Sequence, residues 1–282
     1  MSLLHSILEN KKTAVVLGHT NPDGDCVGSC LAVYNYLRDC FPQVDVTVYL
    51  DRPADKFRYL NGFDQIRTEV PESFQTDLCI CLDSGDRERL GAFAGFLTGG
   101  GKVLSVDHHI TNTHYGDENV VEPDASSTCE VLFGLMDEEK ISRETAACLY
   151  TGIVHDTGVF QYSNTSVKTM DIAGKMMKKG IDFSTIISES YYQKTYVQNQ
   201  VLGRALLESI LFCDGQCIFS VIRKKDMEFY GVTSKDMEGI VEQLRSTAGV
   251  ECAIFLYEKE FQEYKVSLRS KTKVDVSKVA AY

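Results

Sequence analysis

The chain has 282 residues, 44% of them hydrophobic and 24% charged, with five prolines and no tryptophan. That is enough apolar residue for one large core or two modest ones, and it excludes intrinsic disorder and low complexity. Lys and Arg number 29 against 40 Asp and Glu, and the net charge of −11 is the wrong sign for coating long nucleic acid by charge alone. A local basic site or a bound metal can still hold a short anion. No apolar run approaches the roughly 18 residues that a membrane helix needs. The start, Met1-Ser-Leu-Leu-His-Ser-Ile-Leu-Glu-Asn10, lacks the basic head and apolar stretch of a secretion signal. The expectation is a soluble, cytoplasmic protein that does not touch a membrane. Its ten cysteines contain no Cys-x2-Cys pair, which predicts reduced, buried thiols and no zinc or redox dithiol motif.

In chain order, β-rich runs at 14–17, 44–50, 77–83 and 102–107 alternate with helical patterns. Between the first two, Val27, Leu31, Tyr34 and Leu37 recur at helical spacing and predict a helix over 26–39. This alternation predicts an α/β fold, a parallel sheet with helices on both faces. Ser127-Thr-Cys-Glu130 has the spacing of a capping box. Helices follow at 143–154 and at 167–179, the second ended by Gly180. Residues 184–208 read as a polar, helical connector. Beyond it lie strands at 217–222, 253–257 and 263–269 and a helix at 234–247. Asp214-Gly215 predicts a hairpin between 210–213 and the strand that follows. The expected division is a first domain over 1–185, a helical linker over 186–205 and a smaller α+β domain over 206–282.

Ligands of parallel α/β sheets bind at the carboxyl ends of the strands, and the acids and histidines fall there. The first strand runs into Gly18-His19-Thr20-Asn21-Pro22-Asp23-Gly24-Asp25. Pro22 and Gly24 set a turn that lets His19, Asp23 and Asp25 converge on one point. An N-cap would account for Asp25 alone, leaving the other acid and the imidazole to metal ligation. Asp83 closes the third strand. The fourth ends in Asp107-His108-His109, whose adjacent histidines face opposite ways. One can bind a metal while the other faces substrate, and Asp107 can orient an imidazole. Asp156 ends a helix, where its charge opposes the dipole and a cation would offset it. His155 reads as a structural surface residue. Two histidines and four aspartates exceed one tetrahedral site and suit two divalent ions sharing a carboxylate, with a bridging water as nucleophile for phosphoryl chemistry. The donor set favours manganese, with magnesium or cobalt as substitutes.

His19-Thr-Asn-Pro-Asp23-Gly-Asp25, Asp83, Asp107-His108-His109 and Asp156-Thr157-Gly158 resemble, in order and context, the four motifs of the DHH phosphoesterase superfamily. Lys265-Val-Ser-Leu-Arg269-Ser270-Lys271 resembles its DHHA1 domain. The combination is similar to the branch of NrnA-type oligoribonucleases and pAp phosphatases. That resemblance implies His19 and Asp23 on one metal, Asp25, His108 and Asp156 on the other, Asp83 bridging the two, and a hydroxide between them as the nucleophile. It implies that His109 meets the scissile phosphate and that Arg269 and Ser270 contact the nucleotide. The implied substrates are short RNA oligonucleotides, dinucleotides such as pApA, and pAp, and a homodimer is compatible with it. The family's DHHA1 domain continues into a Gly-Gly-Gly-His loop, which would begin where this sequence reaches Tyr282. The competing readings are a family II-like inorganic pyrophosphatase, which shares the first domain's motifs, and a non-catalytic nucleotide sensor.

Overall fold

The computed structural model describes residues 3–260, 262–271 and 273–280, and the chain divides into two compact units, one up to Gln193 and one from Lys194.

Five strands form the sheet of the first unit: β1 (Thr13–Leu17), β2 (Asp45–Tyr49), β3 (Leu78–Leu82), β4 (Lys102–Asp107) and β5 (Glu118–Val121). All pairs are parallel, in the order β2-β1-β3-β4-β5. The chain leaves β1 toward β2 and returns on β1's other side as β3, so the β1/β3 boundary is the switch point where such sheets bind ligands. Leu17 lies level with Cys81 and Leu82 with Val106, which brings His19, Asp83 and Asp107 to one edge. β5 was not legible in the sequence, because Glu-Asn-Val-Val is short, half polar and nowhere fully buried.

Alternate strand residues feed two cores, as the two-residue period requires. Val16, Ile80, Leu82, Leu104 and Val106 pack against α1 (Leu3–Leu8), α2 (Gly24–Cys40), α3 (Thr128–Leu135), α4 (Arg143–Asp156) and α5 (Val167–Lys178). On the other face Val15, Leu17, Cys79, Cys81 and Val103 meet Leu90, Phe93 and Phe96 from the 3-10 turns Glu88–Thr98. Helical chain thus covers both faces, with α-helices on one and 3-10 turns on the other. Every residue of α2 from Gly24 to Leu37 is buried. That helix starts earlier than its apolar spacing suggests, and its cap is Asp23, whose Oδ1 accepts the N–H groups of Asp25 and Cys26. Asp25 is not the cap. The capping box at α3 is half made: Ser127 Oγ accepts the Glu130 N–H, but the Glu130 carboxylate turns to Ser126 and Thr169.

After a single turn, α6 (Phe183–Thr185), the π-helical stretch Ile186–Tyr192 places Ile186 in the first core. Val201 and Ala205 of α7 (Tyr196–Leu207) belong to the second core, so segment 186–205 is shared between the two units. The second sheet is β6 (Ile210–Phe212), β7 (Cys217–Ile222), β8 (Cys252–Glu260) and β9 (Glu263–Ser270), in that order. The β6–β7 hairpin pairs Phe212 with Cys217 across the Asp214-Gly215 turn. Its core packs the sheet on α7, α8 (Lys224–Tyr230) and α9 (Ile240–Arg245). The helix expected over 234–247 breaks at Gly239, whose φ of +83° follows the turn Ser234–Met237 and starts α9. Among the described residues no helix is long and apolar enough to cross a membrane.

Candidate metal centre

The edge of the first sheet gathers the acids and imidazoles. His19 follows Gly18, where a Cβ would lie 2.3 Å from Cys26 Sγ. Only 4% of His19 is exposed. Its Nδ1 is 2.8 Å from the Thr20 carbonyl oxygen, which can only accept, so Nδ1 carries the proton. Nε2 is left facing Asp23 Oδ1 at 3.7 Å and Asp83 Oδ2 at 3.5 Å. His108 repeats the device. Its Nδ1 faces the Ala125 carbonyl at 3.4 Å, and its Nε2 lies 3.1 Å from Asp156 Oδ2 and 3.7 Å from Asp83 Oδ1. Asp83, held at a φ of +54°, is therefore buried between two imidazoles with one oxygen toward each. Asp25 is buried in the first turn of α2, where Oδ2 accepts the Thr128 N–H at 2.6 Å and Oδ1 the Cys129 N–H at 3.0 Å.

These groups fit divalent ions. Ligand atoms of Asp25, His108 and Asp156 all lie within 4.8 Å of one another, and so do those of His19, Cys26 and Asp83. Around an ion with bonds of about 2.1 Å, neighbouring ligand atoms lie about 3.0 Å apart and opposite ones about 4.2 Å. The imidazole–carboxylate separations of 3.1 to 3.7 Å fall in that range. His108 Nε2 is buried without a hydrogen bond, which suits a lone pair aimed at a cation. The surrounding acids draw positive charge to the same place. Burial opposes charge on His108, yet Asp156, Asp25 and Asp83 outweigh it and push the imidazole up to about 10. His19 is likewise held protonated against its burial by Asp23 and Asp83. Burial raises the Asp156 carboxyl to about 6, Asp83 and Asp23 adding to it against the pull of His108. Burial, with Asp83 and Asp156, raises Asp25 well above the usual carboxylate range. The cluster carries more negative charge than its own histidines can balance.

The two adjacent histidines make different contacts, although His109 Nδ1 also lies 3.6 Å from Asp83 Oδ1. His109 Nδ1 donates to Asp107 Oδ1 at 2.7 Å, and Asp107 Oδ2 accepts the Asn112 amide at 2.7 Å. Asp107 is wholly buried and His109's side chain is 37% exposed, leaving Nε2 as the nitrogen available to a substrate. Asp23 reaches the cluster through His19 while also capping α2. His155 is structural, but it is packed and not a surface residue: its ring lies 5.1 Å from Phe57 and 5.4 Å from Tyr191, with Nε2 3.1 Å from Ser190 Oγ. Burial, with Lys56 nearby, pushes it down to about 3. Sequence reasoning missed Cys26, Asn112, Thr128 and Asn164, whose amide donates to the carbonyls of Ser126 and Asp156. For Thr128 the signal was its place in the capping-box pattern Ser127-Thr-Cys-Glu130, and the other three carried none. In the second unit Arg269 ends β9 with Ser270, its Nε 3.3 Å from Glu242 Oε1.

A family model described as the DHH family, N-terminal domain, matches residues 13–153. The bifunctional oligoribonuclease and PAP phosphatase NrnA of Bacillus subtilis (strain 168) is 27% identical over 264 residues, spanning 92% of this chain and 82% of that one. The protein of the same name from Thermus thermophilus is 24% identical over 284 residues, spanning 99% and 83%. Among solved structures, an exopolyphosphatase-related protein from Bacteroides fragilis is 25% identical with a TM-score of 0.90, over 99% of this chain and 85% of that one. A candidate family II inorganic pyrophosphatase from Methanococcus jannaschii shares the fold at 19% identity and a TM-score of 0.50, over 91% and 87%.

Proposed function

The chain belongs to the DHH family, and from that membership we propose that it is a two-metal phosphoesterase hydrolysing short oligoribonucleotides, dinucleotides such as pApA, and pAp. The observation that carries the reading is Asp83, one oxygen 3.5 Å from His19 Nε2 and the other 3.7 Å from His108 Nε2. His19, Asp23 and Asp83 would hold one ion, and Asp83, Asp25, His108 and Asp156 the other. Imidazole and carboxylate donors suit manganese, with magnesium or cobalt as substitutes. Bound there, paired divalent ions neutralise phosphoryl oxygens and acidify water for in-line attack.

The chain's own residues do the rest. Asp25 and Asp83 fix where negative charge sits, and Thr20 and Ala125 fix which imidazole nitrogen is bare. His109, oriented by Asp107, holds a proton at Nε2 for the leaving oxygen. Arg269 and Ser270 contact the nucleotide, the guanidinium fork suiting a phosphate. The names of the Bacillus and Thermus relatives support oligonucleotides and pAp over pyrophosphate. Assaying pApA, pAp and pyrophosphate with manganese tests this. Hydrolysis of the first two supports it, pyrophosphate alone would favour a pyrophosphatase, and binding without hydrolysis a sensor.

A further inference from the structure

We propose that Thr128 is the positioning residue that ties the two metal positions together, an inference that rests on the two-metal reading above. Thr128 is the first residue of α3 and is wholly buried. Its hydroxyl donates to Asp83 Oδ1 at 3.1 Å, and its backbone N–H donates to Asp25 Oδ2 at 2.6 Å. Among the described residues it is the one whose hydrogen bonds reach both carboxylates. Asp83 Oδ1 is also the oxygen that faces His108 Nε2, at 3.7 Å. A hydroxyl hydrogen on one lone pair of that oxygen leaves the other directed toward the position beside His108. Without it, Asp83 Oδ1 loses the hydroxyl donor that helps fix the plane of its carboxylate at the point where it must serve two ions. The N–H bond, with the positive end of α3 behind it, does the same for Asp25.

The turn before Thr128 is braced. Glu130, buried behind it, accepts from Ser126 Oγ at 2.7 Å and from Thr169 Oγ1 at 2.7 Å. Asn164 joins the Ser126 carbonyl at 3.0 Å to the Asp156 carbonyl at 3.1 Å. Supports for Asp25, Asp83 and Asp156 thus converge on residues 126–128.

Thr128→Val keeps the shape and the N–H but removes the hydroxyl. Calorimetric titration of the metal-free full chain with manganese should show two ions in the wild type. In the valine variant one of them should bind about 10- to 100-fold more weakly, and Thr128→Ser should restore wild-type affinity. Should the valine variant not fold, Thr128→Ala against Thr128→Ser makes the same comparison. Wild-type affinity at both positions in the valine or alanine variant overturns the proposal. So does equal weakening in the serine variant, because the hydroxyl would then not be the cause. A wild type that takes up fewer than two ions refutes the two-metal reading itself, and this proposal with it.

Discussion

Asp83 faces His19 with one oxygen and His108 with the other, so in the proposed two-metal centre its charge would serve both positions. Asp83→Asn keeps the shape and removes that charge. It should abolish turnover in manganese more completely than any other ligand change while leaving the circular dichroism spectrum intact. A near wild-type rate would show that Asp83 is not the bridge. His109 has a different role in the proposed mechanism, since its Nδ1 is committed to Asp107 while its neighbour His108 faces Asp156. His109→Ala should lower kcat by about 10²–10⁴-fold, the range of positioned acid–base groups, with metal content unchanged. Losing one equivalent of metal on this substitution, by elemental analysis, would refute the division between the histidines.

Helices α2 and α4 owe their close approach to two glycines. A Cβ on Gly28 would lie 2.6 Å from the Cys148 carbonyl oxygen, and one on Gly152 would lie 2.4 Å from Asp25 Oδ1. Inside a helix Gly→Ala ordinarily stabilises by about 1 kcal/mol. Here the sign reverses, because a backbone oxygen cannot swing aside and overpacking costs about 1–3 kcal/mol. Urea unfolding should find Gly28→Ala less stable than wild type. Gly152→Ala should be less stable too and should also bind manganese more weakly, since its methyl would displace the Asp25 carboxylate, a proposed ligand. Stabilisation of both variants would mean that the helices separate easily.

The molecule is acidic overall, at −11, and the buried carboxylates of the candidate metal centre all lie in the first unit. Ions that bind only the folded state stabilise it by about 2.7 kcal/mol at a hundred times Kd. Manganese should therefore raise the melting temperature relative to a chelator. With two compact units, calorimetry should show the gain in the first unit's transition and none in the second's. A shift confined to the second would place the metals elsewhere.

The sequence by itself determined the fold class and the acids and histidines at the strand ends. Two-residue and helical periods are local properties, and a parallel sheet must bring its carboxyl ends to one edge. β4 and β7 could be read to the residue for that reason. Only tertiary structure decided the rest. Thr128 lies 103 residues from Asp25 and 45 from Asp83, and no local pattern links groups so far apart. Which imidazole nitrogen faces the acids depends on the carbonyls of Thr20 and Ala125, and backbone carbonyls leave no trace in composition. β5 exists because β4 offers it an edge, since its own four residues are too polar and too few to announce a strand.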